Sequence, residues 1–127
     1  MTLVLRLALI LGCAIDLCVG VVLVAAPQLA MPLFDVPVHD ALIAAFAGVE
    51  LIVAACVYAV ALRDPERYRL LLWVCALDQL FAVIGPSVAV AHGAMPATFK
   101  VIAPIPLQAV LCAIFVLSAS RRSAAPR

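Results

Sequence analysis

Residues 3–26 read LVLRLALILGCAIDLCVGVVLVAA, a nearly continuous apolar stretch with one acid, Asp16, near its middle. A helix needs about 20 residues to cross the hydrocarbon core of a membrane, and this stretch is long and apolar enough to do so. It ends at Pro27, which lacks the backbone N–H that a continuing helix would use. The stretch therefore predicts a first membrane span with a carboxylic acid at mid-depth.

Three further stretches of the same character complete the predicted architecture. They run over about residues 41–62, 70–91 and 99–118. The connections between them are short, so neighbouring helices should run antiparallel. The prediction is an all-α fold, an integral membrane up-down four-helix bundle, with residues 1–127 forming one transmembrane domain.

The composition favours a membrane protein over a soluble domain. The 127 residues are 69% hydrophobic and 12% charged, with a mean hydropathy of +1.29 and a net charge of +1. Soluble domains contain about 25% charged residues, so this chain lacks the polar surface that folding in water requires. The arginines are scattered at span ends without aromatic interleaving, so no nucleic-acid partner is predicted. The five cysteines lie within the spans, where the simplest interpretation is small, mostly buried apolar residues.

The placement of Lys and Arg predicts the orientation. Seven of these eight residues lie near the termini or around the connection 63–69, and Lys100 alone lies on the other side. Positive charge accumulates on the cytoplasmic side of membrane proteins. We therefore predict the cell inner membrane, with both termini in the cytoplasm and the connections 27–40 and 92–100 facing outward.

One strongly polar side chain lies near the middle of each span: Asp16, Glu50, Asp78 and Gln108. Counting about 1.5 Å of helix per residue from the flanking arginines places all four near mid-depth. Residues three and four apart share a helix face, and each of these faces carries mostly small residues, which allow close packing of membrane helices. The four faces are predicted to point inward and the polar groups to converge, with Tyr58 on the Glu50 face as a fifth member.

The three acids in this set have no Lys or Arg at matching depth. An ionised Asp at the centre of a membrane helix costs about 3 kcal/mol, so three unpaired charges are too costly for a small bundle. Protonation, a bound cation such as a ligand amine, or a water-filled pocket relieves that cost. The alternative is that neutral acids, Gln108 and Tyr58 hydrogen-bond one another and hold the helices together. We assign these residues ligand or proton binding, with no catalytic residue, no metal site and no identified cofactor.

Prolines fall at matching depth in the last two spans. Gly85 and Pro86 lie two turns outward of Asp78, and Pro104 and Pro106 lie outward of the amide in the fourth span. Proline removes a helical hydrogen bond and tends to kink the helix. The two kinks predict a vestibule that opens outward, lined by these four residues. The alternative is that proline is simply common in membrane helices.

Two features resemble a known group of proteins. The second span contains AGVEL at residues 47–51, and RDPERYR at residues 63–69 is followed by Trp73. With four spans and a proline-rich first outer connection, the chain resembles the DoxX-like small bacterial membrane proteins. That resemblance implies association with membrane oxidoreductase assemblies, some of which use quinones. The only residue that it carries over is Glu50, by its position in the second span and without a role. A weaker likeness is to the EXPERA group, whose buried acids bind amines and sterols, with Glu50 and Asp78 as the corresponding acids.

Three functions are compatible with these patterns. The first is an accessory subunit or binder of a lipophilic or cationic small molecule, of quinone or amine type, in an outward-facing pocket lined by carboxylates. The second is a proton- or cation-coupled transporter or channel, acting as a homo-oligomer. The third is a structural subunit of a membrane complex, which an outward position of Gly12 and Gly20 would favour. An enzyme is the least favoured reading, because no nucleophile–base pair, metal-ligand cluster or phosphate-binding loop is recognisable.

Overall fold

The computed structural model describes residues 3–121, and this part of the chain is helical, without strands. A single 3₁₀ turn, Pro27–Leu29, accompanies six helices. The helices are α1 (Leu3–Ala25), α2 (Ala30–Phe34), α3 (Ala41–Arg63), α4 (Arg69–Ala91), α5 (Phe99–Ile102) and α6 (Pro104–Ser120). Four segments are long and apolar enough to cross a membrane: α1, α3, α4, and α5 with α6. Their ends lie within two residues of the predicted spans.

Local chemistry explains where several helices begin and end. The Asp40 carboxylate accepts the backbone N–H of Leu42 at 2.7 Å and therefore caps the start of α3. Asp64 accepts the backbone N–H of Arg67 at 3.1 Å in the turn that leads to α4. Gly93, at a φ of 71°, adopts the left-handed conformation just after α4, which glycine tolerates without a steric cost.

The first pair of helices, α1 and α3, crosses at two glycines. A Cβ added at Gly20 would lie 2.7 Å from the carbonyl oxygen of Gly48, and the reverse distance is also 2.7 Å. The backbones therefore touch directly, as small residues permit in membrane helices. About two turns away from that crossing, the Cys13 thiol donates to the carbonyl of Ala55 at 3.4 Å. Both contacts belong to one antiparallel register.

The second pair, α4 and α6, packs in the same manner. The Cys112 thiol donates to the carbonyl of Ala76 at 3.3 Å. Nearer the C-terminal end of α6, the Arg69 guanidinium donates to the carbonyl of Ala119. Contact between the two pairs is less extensive than contact between the two helices of each pair.

The bundle is closed at one end and open at the other. We call the end with Leu3 and Ser120 the closed end, because buried side chains from all four long helices meet there. The largest are Leu9, Tyr58, Leu72 and Phe115. Towards the opposite, open end, residues 80–91 of α4 and 104–110 of α6 include none that is buried. A smaller cluster at the open end joins only α1, α2 and α3, through Leu23, Ala30 and Ala44.

The prolines affect the two helices differently. The fourth span is interrupted at Ala103, between α5 and α6, because Pro104 cannot donate a hydrogen bond back into the preceding turn. Pro106 then falls in the first turn of α6, where a missing N–H costs little. In contrast, α4 continues through Pro86 without interruption. The break expected from the prolines is therefore present in the fourth span, while α4 keeps its helical course.

Candidate ligand-binding site

A hydrogen-bonded polar cluster lies where α1, α3 and α4 meet. The Tyr58 hydroxyl donates to Oδ2 of Asp78 at 2.7 Å and lies 3.2 Å from the carbonyl oxygen of Cys75. The side-chain amide of Gln79 donates to the Tyr58 hydroxyl at 2.9 Å and to Oδ2 of Asp78 at 3.2 Å. One carboxylate oxygen, one phenol and one amide thus form a compact triangle between α3 and α4.

The position of Tyr58 depends on its neighbours on both sides. A Cβ added at Gly12 would lie 2.7 Å from Cε1 of the tyrosine, so only glycine on α1 leaves room for the ring. On the other side, the ring of Phe115 packs against it with centroids 5.6 Å apart and planes tilted by 54°. The ring is therefore held by packing, and its hydroxyl is aimed at Asp78.

Asp16 joins this cluster from α1. Its side chain is 4% exposed, and its carboxyl lies close enough to that of Asp78 for a hydrogen bond. Ionised carboxylates only accept hydrogen bonds, so a bond between the two acids needs a shared proton. Neither acid has an ion-pair partner in residues 3–121, where the one salt bridge joins Lys100 to Asp35. The cluster is therefore acidic and lacks a basic counterpart from the described chain.

Two buried acceptors in this cluster have no donor. Oδ2 of Asp16 and Oε1 of Gln79 are both buried, and apart from the proton that the Asp16–Asp78 contact requires, neither has a donor within residues 3–121. The amide orientation follows from its surroundings, because exchanging the nitrogen with Oε1 would place the amide oxygen against Oδ2 of Asp78 and against a hydroxyl that already donates to Asp78. A buried acceptor without a donor costs about 1–3 kcal/mol. The site can therefore accept hydrogen bonds from something that carries donors.

The prediction that all four mid-span polar groups converge is wrong for Glu50. Its side chain is exposed and has no hydrogen-bond or ion-pair partner in residues 3–121. It lies eight residues from Tyr58, or about 12 Å along the axis of α3. The face of α3 that packs on α1 carries Gly48 and Ala55 instead. Small residues occur on several faces of this helix, so their spacing could not reveal which one faces α1.

Gln108 also lies outside the hydrogen-bonded cluster. It is half-buried, and residues 3–121 provide no hydrogen-bond partner for it. The contact between Cys112 and Ala76 places it at the level just outward of Asp78. Gln79 provides the amide of the cluster instead. Sequence reasoning missed Gln79, although its polarity beside Asp78 inside a span could have identified it; its place in the cluster depends on how α4 packs.

The residues predicted to line a vestibule lie towards the open end. Gly85 is exposed, and a Cβ added there would meet nothing within 4 Å. Pro86 is half-buried, while Pro104 and Pro106 are exposed. Together with the absence of buried residues in 80–91 of α4, this leaves open space beside the outer half of that helix.

One polar contact crosses the open end. The Lys100 ammonium donates to the carbonyl of Pro32 at 2.7 Å and lies 3.4 Å from Oδ1 of Asp35. The nearby Thr98 hydroxyl, and then the Lys100 charge, hold the pKa of Asp35 below its ordinary value of 3.8. The contact joins the connection after α1 to the beginning of α5. The two helix pairs are therefore linked at the end where their helices pack least.

Comparison with known proteins adds no functional assignment. No protein-family model, curated protein or solved structure matches the chain. Within residues 3–121, no group of three or more His, Cys, Asp or Glu side chains is placed to hold a metal ion. The likeness to DoxX-like proteins stays a prediction.

Proposed function

We propose that this chain is a small inner-membrane protein that binds an amine-type small molecule at the cluster of Asp16, Tyr58, Asp78 and Gln79. In this proposal the four long helices span the membrane, both termini face the cytoplasm, and the open end faces outward. The observation that carries it is the pair of donorless buried acceptors, on Asp16 and Gln79, beside a second acid.

Electrostatics supports a cationic ligand at this position. Two carboxyls in contact away from water carry at most one charge between them unless a cation joins them. A protonated amine brings a positive charge and two or three N–H donors. It therefore offers the positive counter-charge that Asp16 and Asp78 lack. It also offers the donors that the two buried oxygens, on Asp16 and Gln79, require.

The hydrogen-bond donors and acceptors of the cluster favour an amine over a quinone. A quinone presents carbonyl oxygens, which only accept hydrogen bonds. The donors of the cluster are already used, because Tyr58 donates to Asp78 and the Gln79 amide donates to both of them. A quinone would leave the acceptors of Asp16 and Gln79 without donors. A partnership with a membrane oxidoreductase remains compatible with the site but receives no support from this geometry.

The packing of the closed end supports a binder rather than a channel in a single copy. Tyr58, Leu9, Leu72 and Phe115 are each at most 2% exposed and fill the centre below the cluster. An aqueous path through one copy would have to pass these side chains. A coupled transporter would therefore need a second conformation or an oligomeric pathway. Gly12 and Gly20 both face α3, so the outward position that would favour a purely structural subunit is not found.

Amine binding is tested in lipid nanodiscs with octylamine and its neutral counterpart octanol. We expect saturable binding of octylamine, measured by calorimetry, and no saturable binding of octanol. Asp78→Asn and Asp16→Asn should each weaken octylamine binding at least about tenfold, or about 1.4 kcal/mol. Lipid partitioning is common to all variants, so the difference between them isolates the site.

Glu66→Gln is the matched control, because Glu66 is an exposed acid in the turn between α3 and α4, outside the cluster. It should bind octylamine as the parent does. A short-chain ubiquinone added in a separate titration should not compete. Equal octylamine affinity in the parent and both Asp variants would refute the proposed site. Competition by the quinone would indicate that the site binds a quinone instead.

A further inference from the structure

Glu50 is the polar group that the cluster leaves unexplained. It is an exposed carboxyl near the middle of a helix long and apolar enough to cross a membrane. No side chain in residues 3–121 forms a hydrogen bond or ion pair with it. A carboxyl at such a depth is expensive unless it is protonated, faces water or meets a partner of opposite charge.

The direction of Glu50 follows from the helix on which it lies. Ala54, Val57 and Ala61 follow it at spacings of four, seven and eleven residues, and therefore continue its line along α3. These three residues pack within or against the four-helix cluster of the closed end. The side of α3 that contacts α1 is a different one, marked by Gly48 and Ala55. Glu50 thus lies in line with the flank of α3 that packs into the four-helix core nearer the closed end.

At the level of Glu50, α4 has no close neighbour beside Gly85. Tyr58 contacts Cys75 and Asp78, and the helices run antiparallel, so the level of Glu50 corresponds to that of Gly85. Gly85 borders open space. Glu50 is therefore exposed because α3 and α4 separate beyond the polar cluster. We call the space that borders Gly85, outward of Asp78, the cleft.

The acidic positions along this cleft lack basic partners. Neither the Asp16–Asp78 pair nor Glu50 forms an ion pair within residues 3–121. Two basic groups of neighbouring elements are engaged elsewhere: Lys100 contacts Pro32 and Asp35, and Arg69 contacts Ala119. The two acidic positions lie about 12 Å apart along α3.

We infer that the ligand is an elongated dication, with one ammonium at the Asp16–Asp78 pair and the second at Glu50. This inference rests on the proposed amine site and specifies its ligand as a linear diamine or polyamine. The apolar methylene chain between the two charges lies against the small residues of the cleft, Ala54, Ala82 and Gly85. The length of the diamine therefore determines selectivity, since a short diamine cannot reach both acidic positions.

The test compares three amines in nanodiscs: octylamine, octamethylenediamine and the short trimethylenediamine. We expect octamethylenediamine to bind at least about tenfold more tightly than octylamine, and trimethylenediamine to gain no such advantage. Simple partitioning into lipid predicts the opposite order, because the second ammonium makes the long diamine less lipophilic. Glu50→Gln should remove the advantage of the long diamine and leave octylamine affinity unchanged, whereas Asp78→Asn should weaken both.

The outcomes separate this inference from the proposed function. Octylamine binding that depends on Asp78, with no advantage for the long diamine, overturns the dication and leaves the amine site standing. If no amine binds saturably, both the dication and the amine site are overturned. A Glu50→Gln variant that changes the oligomeric state in native mass spectrometry, with the diamine preference intact, would assign Glu50 to a contact between copies and also overturn the inference. Glu66→Gln should match the parent in every titration.

Discussion

At the residue scale, the site depends on one tyrosine that connects three helices. The Tyr58 ring fits against Gly12 of α1, stacks near Phe115 of α6, and directs its hydroxyl to Asp78 of α4. The hydroxyl also accepts the amide of Gln79. A single atom therefore serves as the donor to the acid and as the acceptor for the amide. Removing it affects two partners, of which Gln79 is buried and Asp78 is half-buried.

Tyr58→Phe should accordingly destabilise the fold. The substitution keeps the ring but leaves the Gln79 amide with one acceptor fewer and Asp78 without its phenolic donor. Loss of a buried hydrogen-bond partner costs about 1–3 kcal/mol, so the midpoint of thermal unfolding in nanodiscs should fall by several degrees. Tyr68→Phe is the control, because Tyr68 lies in the turn before α4 and its hydroxyl makes no hydrogen bond within residues 3–121. Equal midpoints for the two variants would contradict a structural role for the cluster.

At the scale of elements, two helix pairs form by close approach and meet each other more loosely. The α1–α3 pair is held by direct backbone contact at Gly20 and Gly48, and the α4–α6 pair by packing around Ala76 and Cys112. Between the pairs, contact is concentrated at the closed end. The polar cluster lies at the boundary, where the four-helix core gives way to the cleft.

Gly48→Ala tests the α1–α3 crossing. The added Cβ would lie 2.7 Å from the Gly20 carbonyl oxygen, and a backbone atom cannot move aside as a flexible side chain can. The two helices must separate, at a cost of about 1–3 kcal/mol, and unfolding by denaturant in bicelles should begin at a lower concentration. Gly85→Ala is the matched control, since its Cβ meets nothing within 4 Å and alanine favours a helix. A Gly48→Ala variant as stable as Gly85→Ala would refute the direct contact.

At the scale of the whole molecule, the contact between Lys100 and the Pro32–Asp35 segment spans the open end. It ties the connection after α1 to the beginning of α5. Asp35 also adopts a φ of 56°, a left-handed conformation that Asp and Asn tolerate better than other side chains. Asparagine at this position can thus test the charge without disturbing the backbone.

This contact should respond to acid in a definite direction. Because the folded-state pKa of Asp35 is depressed, its contribution is fully present above the ordinary value of 3.8 and is lost as pH falls through the lower folded value. At neutral pH, Asp35→Asn should increase hydrogen–deuterium exchange in the connection 92–103 relative to the parent. The two proteins should converge in strong acid, with Glu66→Gln matching the parent throughout. A difference that persists unchanged in strong acid would exclude the charge as its cause.

The sequence alone determined the number of long helices and their ends, because hydropathy, proline and charge act over neighbouring residues. It also identified Asp16, Asp78 and Tyr58, since polar side chains inside an apolar span are visible without a structure. Only the tertiary structure decided that these three meet with Gln79, whereas Glu50 lies a dozen ångströms outward and Gln108 stays apart. The physical reason is that alanines and glycines occur on several faces of each helix, so their spacing allows more than one packing. The choice is made by contacts between distant segments, such as Gly20 with Gly48.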